Sequence, residues 1–313
     1  MRVLALFLCV LGAVANQPVA AAASNLVPFD DVYGSIVVRV VVNGKGLYSF
    51  GVDTGSQEMI VTPDLASELG LVAAGKRIES GAGPVEMTNV LTRLSSVAIG
   101  GLVVRDLPAD EVALPEGLVH REPGLTIRGL IGIDFLRRFV TTVDYASETL
   151  TFSAIKDFAP ARRAIALPMF MIDGGRAPGI PIAIDGNWAV FMVDTGNSGW
   201  PDIKAAFAAG ARLSEHTAST SSAQAAGGDD RLHVVCLRSF AISDWSRTRV
   251  PAYVDVVDYG VSRWADNGGS IGYETLRAFR TTFDFSRKVV YFDPVSYAAS
   301  IDYATSADCL PRR

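Results

Sequence analysis

The sequence predicts a mostly β fold in two pseudo-symmetric halves, with few short helices. Three observations predict it. An internal repeat spans nearly the whole 313-residue chain. Each half opens on an Asn-Gly or Asp-Gly step between β-rich runs, a strong hairpin signal because both turn positions need φ > 0. The 29 glycines and 15 prolines are spread widely, which suits short strands and turns better than a helical bundle.

The chain begins with Arg2, an apolar run over residues 3–12 and the small residues Ala13-Val14-Ala15, which together read as an export signal. A second cleavage option falls in residues 20–23. The apolar run is too short for a permanent bilayer span, so no stable membrane anchor is expected. The expected division is a signal peptide at 1–23 (or cleavage after 15), one lobe at 24–155 and a second at 156–313. The destination is the periplasm or the medium. No long pro-segment is expected ahead of the first lobe.

In the first half, residues 36–42 meet Asn43-Gly44 and return over 47–52, ending in Asp53-Thr54-Gly55. In the second, residues 180–184 meet Asp185-Gly186 and return over 188–193, ending in Asp194-Thr195-Gly196. The two tripeptides lie 194 − 53 = 141 positions apart. A short helix is expected next at 63–69, with Thr62 as N-cap, Pro63 at the first helical position and Gly70 beyond its end. Its counterpart is expected at 201–209, stopped by Gly210. Polar hairpins follow at 76–90 and 215–235, the second turning at Gly227-Gly228; they read either as solvated loops or as lids that exclude water.

The repeat then returns as Gly129-Leu130-Ile131-Gly132 and Gly269-Ser270-Ile271-Gly272, each opening a short helix and a strand. Those strands end at Asp144 and Asp284, 284 − 144 = 140 positions apart. Asp134, Asp144 and Asp284 read as capping or surface residues. Closing strands are expected at 150–152 and 289–292, with residues 153–167 as the crossover between halves. Met59 and Ile60 read as core, and Trp200 as a core, rim or subsite aromatic.

Two strand tips that each carry an aspartate can be brought face to face. Like charges about 3 Å apart cannot both ionise, so such a pair shares a proton and offers a base and an acid at once. Apolar-apolar-Asp-Thr-Gly, followed about eighty positions later by apolar-apolar-Gly, twice over, resembles the aspartic proteases of the pepsin and retropepsin type. The resemblance covers most of the chain and is nearest to bacterial exported retropepsin-like proteins. It implies two β-barrel lobes with a cleft between them, an intramolecular active site, a monomer and a peptide or unfolded protein as substrate. By the same resemblance Asp53 and Asp194 are the catalytic pair, and Thr54 and Thr195 lock the two loops. Gly55 and Gly196 permit the tight turns, while Ile131-Gly132 and Ile271-Gly272 pack beneath them. No metal or cofactor is implied.

Ser56 follows the first tripeptide, and its hydroxyl can donate to Asp53. Asn197 stands at the matching place, where family members usually carry a hydroxyl or alanine, and its amide can donate to Asp194. No tyrosine lies between Ile60 and Gly100, so the flap tyrosine typical of pepsins is absent from the first lobe. These departures leave a second reading open, a catalytically weak or inactive peptide-binding protein of the cell envelope.

Net charge is −5 with only 28 Lys and Arg, so a nucleic-acid partner has no electrostatic support. Removing the signal leaves Cys236 and Cys309, which either pair in an oxidising compartment or remain two thiols. His120, His216 and His233 lack metal-ligand spacing and read as surface residues.

Overall fold

The computed structural model describes residues 25–213, 217–263, 266–296 and 309. The expected export signal and His216 lie outside the described residues. The described residues form three sheets. One of eight strands is built from residues 30–131, one centred on ten strands from residues 170–271, and one of six strands takes pieces of both halves.

Each half is organised by the same four strands. In the first, the hairpin Ser35–Val42 and Lys45–Val52 turns at Asn43 (φ 51°) and Gly44 (φ 76°). The strand Ile127–Ile131 runs parallel to Lys45–Val52 and antiparallel to Met59–Val61, so it inserts between two strands that are neighbours in sequence. The second half repeats this. Ala177–Ile184 and Asn187–Val193 turn at Asp185 (φ 51°) and Gly186 (φ 83°), and Gly269–Ile271 inserts between Asn187–Val193 and Asp202–Ile203. The insertion forces the chain after each Asp-Thr-Gly to arch over the inserted strand, which exposes the loop at the sheet edge.

The six-stranded sheet joins the halves. Its central strands, Val140–Asp144 and Phe279–Asp284, pair antiparallel with Thr142 opposite Thr282. These two residues are equivalent in the repeat, and their buried hydroxyls hydrogen-bond at 2.8 Å. An approximate two-fold axis therefore passes between them. The inward positions of all three sheets merge into one core containing Phe50, Phe135, Phe191, Phe279 and Phe292, all fully buried.

Several expectations are corrected. The helix Pro63–Leu69 is present and Gly70 (φ 65°) ends it, but Thr62 makes no side-chain cap, because its hydroxyl donates to Arg128 O at 3.2 Å. No helix starts at Pro201. Asp202–Ile203 is recruited as the third strand of the inserted motif, and the helix is Ala205–Gly210, preceded by Lys204. Asp134 and Asp284 are buried, paired with Arg137 at 2.7 Å and Arg287 at 2.6 Å. Asp284 and Asp144 do cap turns, accepting from Arg287 N and Ala146 N. His233 is half-buried on the strand Gly228–Leu237.

A disulfide joins Cys236 to Cys309, 73 positions apart, and ties the C-terminal segment to that strand. Closing so long a loop restricts the unfolded chain, so reduction is expected to lower stability by roughly 2–5 kcal/mol. Thermal unfolding with and without reductant, alongside Cys236→Ser, checks this; coincident melting curves would contradict it.

Candidate active site

Asp53 and Asp194 each follow the last residue of a strand that runs beside the inserted one. Their backbone N–H groups donate to Ile131 O and Ile271 O, both at 3.0 Å. This fixes where each Asp-Thr-Gly turn leaves its sheet. Gly132 and Gly272 sit directly behind the turns, where a Cβ would overlap Glu58 O and Asn197 O. Any side chain at these two positions would push the loops outward.

The two loops are locked to each other across the axis. Thr54 N donates to Thr195 Oγ1 at 3.1 Å and Thr195 N donates to Thr54 Oγ1 at 3.0 Å. The hydroxyls complete the exchange: Thr54 Oγ1 donates to Val193 O at 2.6 Å and Thr195 Oγ1 to Val52 O at 2.8 Å. Both threonines are buried, so no water competes for these bonds. Threonine suits the position because one hydroxyl both donates and accepts, while its methyl fills the dry interface.

This lock brings the carboxyls together. Gly55 N donates to Asp53 Oδ1 at 2.7 Å, and Gly196 N to Asp194 Oδ1 at 2.8 Å. Each glycine also faces the opposite acid. A Cβ on Gly55 would stand 2.9 Å from Asp194 Oδ1, and one on Gly196 would stand 2.6 Å from Asp53 Oδ1. The two carboxyls hydrogen-bond to each other. Burial, followed by the Asp53 charge, holds Asp194 well above the usual carboxylate range. Burial raises Asp53 too, but the N–H of Gly55, the hydrogen bond from Asp194 and the N–H of Ser56 oppose it. Both carboxyls are thus raised, and they titrate as a pair.

Ser56 and Asn197 do not do what their sequence positions imply. The Ser56 hydroxyl donates to Glu58 O at 3.1 Å, and Asp53 is served by the backbone N–H instead. The Asn197 amide donates to Ser270 Oγ at 2.9 Å and Trp200 O at 3.3 Å, and its Oδ1 accepts from Gly199 N at 2.8 Å. It braces the loop and leaves Asp194 to backbone donors. Trp200 is half-buried against the core.

The polar hairpins meet at their tips. The tip of Gly75–Ser80 and Glu86–Ile99 touches the tip of Thr217–Ala225 and Gly228–Leu237, through Gly83 N to Ala226 O at 2.8 Å and Val85 N to Gly227 O at 2.9 Å. Sequence reasoning placed both hairpins but missed this contact. It also missed Arg176, which crosses from the second half to Glu79 at 2.8 Å and Glu58 at 4.0 Å, beside the first loop. Arg77 joins the same group, pairing with Glu58 at 3.1 Å and Asp110 at 2.8 Å. No local pattern announces partners so far apart in sequence. Tyr273, the residue after Gly272, stacks edge-on against buried Tyr145 with centroids 5.2 Å apart. Burial, and then Asp31, which accepts from its hydroxyl, push the Tyr273 phenol up to about 12.

Residues 38–135 match the family model described as "Aspartyl protease". Among solved structures, an aspartic proteinase from Irpex lacteus is similar at 16% identity with a TM-score of 0.58, over 89% of this chain and 99% of that one. A retropepsin-like aspartic protease from Rickettsia conorii is 19% identical with a TM-score of 0.30, over 42% of this chain and 90% of that one. No curated protein matches the chain in sequence. The likeness to the Irpex lacteus structure shows the bilobed fold of pepsin-like aspartic proteases, and residues 38–135 carry the sequence signal of the aspartyl protease model.

Two outcomes follow from the site. Thr54→Val leaves Val193 O and Thr195 N without partners in a dry interface, and is expected to cost roughly 2–4 kcal/mol, with Thr54→Ser costing much less. Denaturant unfolding measures both, and equal losses would refute the hydrogen-bond account. Asp194 has a raised folded-state pKa, so it penalises folding above the unfolded carboxylate pKa of about 4. Asp194→Asn is expected to melt above the parent at neutral pH, with the gap closing below about pH 4; a constant gap would contradict it.

Proposed function

We propose that the protein is an aspartic endopeptidase that hydrolyses internal bonds of extended peptides or unfolded protein. The observation that carries this reading is the facing pair Asp53–Asp194, both carboxyls raised by burial and held together by reciprocal threonine bonds. Thr54, Gly55, Thr195, Gly196, Ile131, Gly132, Ile271 and Gly272 act through that pair by fixing its geometry.

In the proposed mechanism the pair shares one proton, placed on Asp194, and Asp53 carries the charge. A water between the carboxyls gives a proton to Asp53 and attacks the peptide carbonyl carbon. The Asp194 proton passes to the carbonyl oxygen, so the tetrahedral intermediate forms uncharged. In its collapse the C–N bond breaks, and the proton held by Asp53 goes to the departing nitrogen. The carbonyl then re-forms as its hydroxyl proton returns to Asp194. The cycle ends with the dyad as it began, and its titration belongs to the pair.

An extended peptide fits a cleft walled by two sheets, where it adds main-chain hydrogen bonds as a strand and turns alternate side chains into pockets. The hairpin tips must part for entry, and their re-closure excludes water from the reacting bond. One chain supplies both acids, so a monomer suffices. The reading includes export, with a signal peptide at residues 1–23 and lobes at 24–155 and 156–313.

Asp53→Asn and Asp194→Asn are each expected to lower the rate on an unstructured protein at least ~10³-fold, since each removes a proton-transfer group. A statine-type transition-state analogue should block the parent. Activity should fall as pH rises through the loss of the Asp194 proton. Binding without cleavage at every pH from acid to neutral would instead establish a peptide-binding protein.

A further inference from the structure

Two arginines cross between the halves beside the Asp-Thr-Gly loops, and they are neutralised very differently. Arg176 reaches the loop after Asp53 and meets two carboxylates, Glu58 and Glu79. Arg121, from the segment ahead of Ile127–Ile131, reaches the loop after Asp194. It donates to Ser198 Oγ at 3.0 Å and to the hydroxyl of buried Ser35. Among the described residues no carboxylate pairs with it. Asp31, the acid of the adjoining turn, is occupied by Gly34 N at 2.8 Å and by the Tyr273 hydroxyl.

The repeat shows why the charge is left over. Glu58 lies five residues after Asp53, and the residue five after Asp194 is Gly199. Glu79 stands one residue before the last ladder pair of the first hairpin, Ser80 with Glu86. The same place in the second hairpin, before Ala225 with Gly228, is held by Gln224. Gln224 lies against Gly117, four residues ahead of Arg121. Both acids that serve Arg176 thus have neutral counterparts in the second half.

A half-buried guanidinium with only hydroxyl partners bears a desolvation cost that no opposite charge offsets. Burial holds the Arg121 guanidinium below its ordinary range, in keeping with that isolation. Two of its five N–H donors are engaged, one on each terminal nitrogen, leaving three for a further acceptor. The loop it touches begins at Asp194, so that acceptor would belong to a molecule lying in the cleft.

We propose that Arg121, with Ser35 and Ser198, forms a subsite for a carboxylate of the peptide substrate. This rests on the peptidase reading above and names a preference within it. The carboxylate is that of an Asp or Glu side chain at one position of the extended peptide, or of its C-terminus.

Matched peptides carrying Asp or Glu, or Asn or Gln, at successive positions around the cut decide this. Free-acid and amidated C-termini separate the two sources. The parent is expected to favour the acid at one position roughly ten- to hundred-fold in kcat/KM, the range of a charged hydrogen bond. In Arg121→Gln that ratio should fall to about one, and Arg121→Lys should retain part of it. No acid preference in a parent that cleaves the amides, or a preference that survives Arg121→Gln, overturns the subsite and leaves Arg121 as a strut between the halves. If no peptide is cleaved, the peptidase reading fails separately. Fluorescence anisotropy of the same acid and amide pairs on parent, Arg121→Gln and Arg121→Lys then tests the subsite by binding alone. Tighter acid binding lost only in Arg121→Gln supports it, and equal binding of acid and amide refutes it. Circular dichroism establishes folding of each variant, and Arg121→Lys serves as the probe if Arg121→Gln does not fold, with a ratio unchanged from the parent counting against the subsite.

Discussion

The structure depends on a reciprocal exchange of hydrogen bonds between Thr54 and Thr195. Each hydroxyl accepts the other residue's backbone N–H and donates to a carbonyl of the opposite strand, Val193 or Val52. Two carboxyls would not approach one another unaided, since their mutual repulsion in a site poor in water is large. Four buried bonds and the three sheets behind them impose the approach. The raised titration of both carboxyls is the consequence of that imposed geometry, through burial first.

The fold is close to two-fold, but its charges are not. Thr142 meets Thr282 and Thr54 meets Thr195, equivalent residue against equivalent residue. Around this axis the sequence has diverged. Glu58 opposes Gly199, and Asn197 stands where Ser56 stands in the other loop. These differences leave Arg121 with hydroxyl partners only, while Arg176 meets two carboxylates.

Much of this was legible because the signals are local. Asn43-Gly44 and Asp185-Gly186 mark their turns by backbone preference alone, and Pro63 with Gly70 brackets its helix. Where a tertiary partner outbid local preference, the reading failed. Asp202–Ile203 reads as helix yet is pulled into the sheet by Gly269–Ile271. The Ser56 hydroxyl and the Asn197 amide both turn away from the acids, because Glu58 O and Ser270 Oγ lie within reach once the inserted strand is in place.

The sequence by itself determined the repeat, the two hairpins and the two aspartates at their tips, since turn chemistry and strand patterning act over a few residues. Tertiary structure alone decided how the halves face each other: that the two acids are buried together, that the hairpin tips touch, that Arg176 finds two carboxylates and that Arg121 finds none among the described residues. Those outcomes are set by distances between groups tens of residues or more apart in sequence, and a charge or a hydrogen bond responds to distance in space.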